Sequence, residues 1–89
     1  MKVEQLLASG KAQEALALAQ RLLPKGPGDP GLNSLMSLVL LRLGRHEQAE
    51  YYALRAQGAE PGSAALMVNL AMVLQARRKH EEALSWLRR

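Results

Sequence analysis

The string GRHEQA at positions 44–49 returns as RKHEEA at 78–83, and a looser copy, GKAQEA, stands at 10–15. Each copy lies 34 residues from the last. This fixed period constrains the fold more than any other feature. A unit of that size cannot bury its apolar face alone and must stack on its neighbours. The period also extends beyond the short string. Ala15, Ala49 and Ala83 coincide, as do Leu6, Leu40 and Leu74, while Pro27 and Pro61 each precede a glycine. Apolar residues recur where helices belong, and small or flexible ones where turns belong.

Helix signals agree with that layout. GLNSLMSLVLLRLG places Leu32, Leu35, Met36, Val39, Leu40 and Leu43 at helical intervals and ends on Gly44 as a stop. HEQAEYYALRAQG restarts at once and stops at Gly58. SAALMVNLAMVLQARR opens on Ser63, a suitable N-cap. KHEEALSWLRR starts a last helix, with Glu81 and Glu82 suited to the positive end of its dipole. Upstream, KVEQLLAS and AQEALALAQRLL make a first pair, and PKGPGDPG is the one long helix-breaking turn. The expectation is an all-α chain of six helices in three antiparallel hairpins. Turns fall near Gly10, Pro24–Pro30, Gly44, Gly58–Gly62 and Arg78. Gly10 and Gly44 suit the left-handed conformation that ends a helix. The alanine five residues after each faces the partner helix. Arg78 takes the glycine's place in the third copy, where that conformation costs about 1–2 kcal/mol, so a looser turn is expected there.

These residues resemble a tetratricopeptide repeat, with its glycine in the hairpin turn, a small residue five positions on and a proline closing the unit. In the middle unit, Pro30 to Ser63, the matching residues are Gly44, Ala49, Ala56 and Pro61, with Ser37 and Leu40 at the small and large positions of the first helix. Leu70, Ala71, Leu74, Ala83 and Leu87 match in the third unit, and Leu6, Gly10, Ala15 and Pro27 in the first. Asn33 and Met67 stand where the family carries an aromatic residue. The resemblance implies a right-handed α-α superhelix of three hairpins forming a single domain over residues 1–89. Its units would be approximately 1–29 (partial), 30–63 (complete) and 64–89 (partial).

Composition removes several chemistries. There is no cysteine, which excludes disulfides, thiolate catalysis and Cys-bound zinc. His46-Glu47 and His80-Glu81 begin an HExxH pattern, but Glu50 and Leu84 stand where the second zinc ligand belongs. The two histidines read instead as equivalent packing positions. No serine has a nucleophile context, and GPGDPG is no phosphate loop. Glu81 and Glu82, being adjacent on a helix, do not face each other. No enzyme activity, cofactor or metal is expected. The net charge of +4 gathers at Arg77, Arg78, Lys79, Arg88 and Arg89. No aromatic residue interleaves with that cluster to stack on bases, so no nucleic-acid partner is expected. No apolar run approaches the length of a membrane span, and the N-terminus lacks a signal-peptide core. A cytoplasmic protein without membrane contact is expected.

The resemblance implies a non-catalytic protein–protein interaction scaffold. Carried over position by position, its concave groove is Ser34, Leu38, Leu41 and Arg42 from the middle unit and Val68, Asn69, Met72 and Gln75 from the third, with Glu4 and Leu7 from the first. Peptide-binding members grip a C-terminal carboxylate with Lys, Asn and Arg, and only Asn69 matches that clamp. An apolar segment or amphipathic helix is therefore the expected ligand. The alternative is an accessory module of a larger enzyme such as a transferase. Leu84, Trp86 and Leu87 give the last helix an apolar edge where a terminal unit normally carries a polar face. That edge suggests a piece of a longer array, or a homodimer formed through terminal edges, the other edge being part of Ala15–Leu22 left uncovered by the short first helix.

Overall fold

A computed structural model of the protein describes residues 2–88, except for the side chain of Trp86. The described residues form five α-helices and no strand: α1 (Lys2–Ala8), α2 (Ala12–Leu22), α3 (Pro30–Arg42), α4 (His46–Ala59) and α5 (Ala64–Leu87). A 3-10 turn, Leu23–Lys25, follows α2.

The two short reversals are built alike. Gly10 and Gly44 hold φ of 75° and 77°, the region that side-chain-bearing residues avoid. Around them Lys11 N donates to Leu6 O at 2.8 Å and Gly10 N to Leu7 O at 3.1 Å. Arg45 N to Leu40 O at 2.9 Å and Gly44 N to Leu41 O at 3.0 Å repeat the arrangement. These paired bonds satisfy carbonyls that a helix end otherwise leaves open. The long turn is held as firmly. Asp29 caps α3 by accepting from Gly31 N at 3.0 Å, and Pro30 fits the first helical position because its missing N–H needs no partner there.

The core runs through all five helices: Val3 and Leu7 of α1, Leu16 and Ala19 of α2, Met36, Val39 and Leu40 of α3, Ala49 and Ala53 of α4, and Val73 of α5. Ala15 and Ala49 are fully buried at the places expected for small residues between paired helices. Asn33, at the family's aromatic position, is also buried. Its amide donates to the carbonyls of Pro27 and Asp29, each at 2.9 Å, and so fastens the long turn to α3.

Two expectations are corrected. Helix α4 does not stop at Gly58; it continues to Ala59. The larger correction is α5, one helix of 24 residues that passes through Arg78 without a turn, so the expected sixth helix and third hairpin are absent among the described residues. The cause lies at the turn position. Arg78 would need the left-handed conformation that Gly44 adopts at little cost. Straight helix instead keeps every backbone bond and adds two pairs one turn apart, Arg77–Glu81 and Arg78–Glu82, each at 3.0 Å. Among the described residues no helix is long and apolar enough to cross a membrane.

Candidate partner-binding faces

Helix α5 packs against both α3 and α4. At 100° per residue it presents three distinct stripes. Leu66 and Val73 turn inward and are buried. Val68, Met72 and Gln75 form a second, exposed stripe. Met67, Ala71 and Leu74, with half-buried Leu70, form a third.

The expected groove residues occupy different depths. Val68 and Met72 are 57% and 48% exposed, and Gln75 and Arg42 are also exposed. Leu38 and Leu41 are half-buried on α3. Ser34 is buried and Asn69 half-buried, and the Asn69 amide donates to Ser34 Oγ at 2.6 Å. That bond joins α3 to α5, so the two residues tie the helices that carry the apolar side chains. Leu7 is buried in the core and Glu4 is exposed.

Sequence reasoning missed a second concavity. A cleft of about 410 Å³ lies between α2 and α4. Leu16, Met36 and Leu40 give it an apolar floor, and Gln20, Arg45, Gln48, Tyr51 and Tyr52 are among its walls. Tyr52 is half-buried and Tyr51 is 53% exposed, as adjacent residues about 100° apart on a helix allow only one of them to pack inward. Their rings meet edge to face with centroids 5.0 Å apart. Arg55 donates to Tyr51 Oη at 3.0 Å and to the Pro27 carbonyl at 2.9 Å. The adjacent tyrosines were the available signal, but the cleft depends on the spacing of α2 from α4, which no short motif encodes.

A third concavity, of about 430 Å³, lies where α5 passes the start of α4. His46 and His80 pack there with ring centroids 4.8 Å apart, so the two equivalent histidines contact each other. Beside them Arg77 donates to Glu50 and to Glu81, with Glu47 at 3.9 Å. The bond to Glu50, then that to Glu81, raises the Arg77 pKa above its already high ordinary value. Among the described residues no three His, Asp or Glu side chains gather as a metal site. Leu84 borders this concavity and is 38% exposed, while Leu87, beyond it, is 83% exposed. Trp86, the third residue of the expected self-association edge, has its side chain outside the described residues. At the opposite end Ala15, Leu16 and Ala19 are buried, so the apolar part of the expected uncovered edge of α2 shrinks to exposed Ala17 and half-buried Leu18 and Leu22.

Comparison with protein families matches a tetratricopeptide repeat model over residues 6–53, more than half of the chain. The chain belongs to the tetratricopeptide repeat family. A second tetratricopeptide repeat model matches residues 63–89, so family resemblance extends into α5 even though α5 is a single helix. Tetratricopeptide repeats are generally protein–protein interaction modules, which makes protein the partner class the family suggests. A search of the curated proteins finds no match.

Proposed function

We propose that this tetratricopeptide repeat chain binds an apolar peptide segment or amphipathic helix on the face formed by α3 and α5, without catalysis of its own. The observation that carries the reading is the Asn69–Ser34 hydrogen bond, flanked by the exposed side chains of Val68 and Met72. A part-buried tie between two helices fixes the surface in advance, so binding loses little conformational entropy. Met suits the gripping role because its flexible thioether adapts to varied apolar shapes. Half-buried Leu38 and Leu41 extend the apolar surface along α3, and Arg42 and Gln75 supply polar groups at its margin. In this reading the units stack as a right-handed superhelix whose inner side is this face.

The test is a displayed library of amphipathic helical peptides selected on the wild-type chain and re-measured on Leu38→Glu plus Met72→Glu. The expected result is binders that lose at least tenfold affinity on the variant, whose far-ultraviolet circular dichroism is unchanged. Selected binders that hold the folded double variant as tightly as wild type would contradict the assignment of the face.

A further inference from the structure

Units two and three share a pattern but differ in what covers it. In unit two, where α3 packs on α4, Asn33, Met36, Ser37 and Leu40 of α3 are all buried. The residues 34 positions on are Met67, Leu70, Ala71 and Leu74. Met67 is 48% and Leu74 44% exposed, Ala71 is exposed and Leu70 is half-buried. The covering side shows the same contrast. Ala49 and Ala53 are 0% and 2% exposed, whereas their equivalents Ala83 and Leu87 are both exposed, Leu87 at 83%. Both halves of one helix–helix contact are thus present on a single chain. On the continuous α5 they lie on either side of Arg77–Lys79.

We infer that α5 is a two-state element. Its extended form, described above, exchanges with a minor form in which the chain reverses at Arg77–Lys79. Residues 80–87 then lie on Met67, Leu70, Ala71 and Leu74, as α4 lies on α3. The extended form is held by the helical preference of Arg78, by the Arg77–Glu81 and Arg78–Glu82 pairs that span the hinge, and by the His46–His80 contact. The reversal breaks these; the bond from Arg77 to Glu50 ties the first residue of the hinge to α4. The two hinge pairs are exposed and therefore weak and sensitive to salt, so rising ionic strength shifts the exchange toward the folded form. The covered stripe is not the one that carries Val68, Met72 and Gln75. The device is therefore independent of the binding face proposed above, and it opens or occupies an additional helix-binding surface at the end of the stack.

The chain has no cysteine among the described residues or elsewhere in its sequence, so Ala65→Cys and Ser85→Cys, both at exposed positions, take a pair of spin labels uniquely. Along a continuous helix the labelled backbones stand about 30 Å apart. Folded back, with paired helix axes about 8–10 Å apart, they approach to within about 15 Å. Pulsed electron paramagnetic resonance should find the long distance dominant in the otherwise wild-type chain. Arg78→Gly, which removes the penalty at the turn, should raise the ratio of short to long distance at least tenfold. Adding Leu74→Glu and Leu87→Glu to that variant should restore the long distance. An Arg78→Gly chain that keeps only the long distance overturns the inference, as does one whose distances broaden while helicity falls. A short distance that vanishes on dilution with unlabelled chain belongs to a second copy and overturns it equally.

Discussion

Gly44 and Arg78 stand at equivalent positions one period apart, and the chain reverses at the first and runs straight through the second. Their flanks are nearly identical in type: an apolar helix before, and a histidine, two acidic or amide residues and an alanine after. The decisive difference is the backbone freedom of one residue. Gly44 adopts φ of 77° with no Cβ to strain, and the paired bonds from Gly44 and Arg45 close the helix end. Arg78 favours ordinary helix and gains the pair with Glu82 by staying in it. Similar helix-forming patterns therefore do not guarantee a hairpin, because the turn needs its own residue.

Substitutions at equivalent positions should expose this difference. The largest contrast is expected between Leu40 and Leu74, which are 3% and 44% exposed. Leu40→Ala should cost about 2–5 kcal/mol, through lost burial and a residual cavity. Leu74→Ala should stay within about 0.5 kcal/mol. Urea unfolding of the two variants side by side gives both numbers.

The alanines sharpen the comparison further. Ala49→Leu forces side-chain volume between α3 and α4 and should destabilise by about 1–3 kcal/mol. Ala83→Leu, at an exposed position, should change stability by less than about 0.5 kcal/mol. An unchanged melting temperature for Ala49→Leu would break the register assigned to the hairpin.

Smaller effects attach to the turn itself. A methyl group at Gly44 would meet no neighbouring atom, so the cost of Gly44→Ala is conformational, about 1–2 kcal/mol. Smallest is Glu82→Gln, which removes one exposed pair with Arg78 and should cost about 0.3–0.5 kcal/mol. That loss should shrink as salt is added. A salt-independent loss would mean that the pair does not account for it.

Most of the fold was legible because it depends on local chemistry. The period, the two glycine turns, the Ser63 cap and the burial of Ala49 all follow from residue type and spacing. The continuity of α5 was harder to read because RKHEEA copies the flanks of a turn without its glycine. Its i,i+4 partners, Arg77 with Glu81 and Arg78 with Glu82, are nevertheless visible in the sequence and argue for helix. The groove positions were placed by family resemblance, which could assign a face but not a depth. Burial of Ser34 and its bond to Asn69 depend on how closely α5 approaches α3. The His46–His80 contact and the cleft beside Tyr51 and Tyr52 arise from helix spacing in the same way.

The most direct test of the claim that residue identity at the turn position separates the two units is backbone chemical-shift assignment across Leu74–Glu82, with Leu40–Gln48 as the internal reference. Helical Cα secondary shifts should run unbroken through Arg77, Arg78 and Lys79, while the reference segment loses them at Gly44 and Arg45. Loss of helical shifts at Arg78 and Lys79 in the wild-type chain, matching the break at Gly44, would contradict the account.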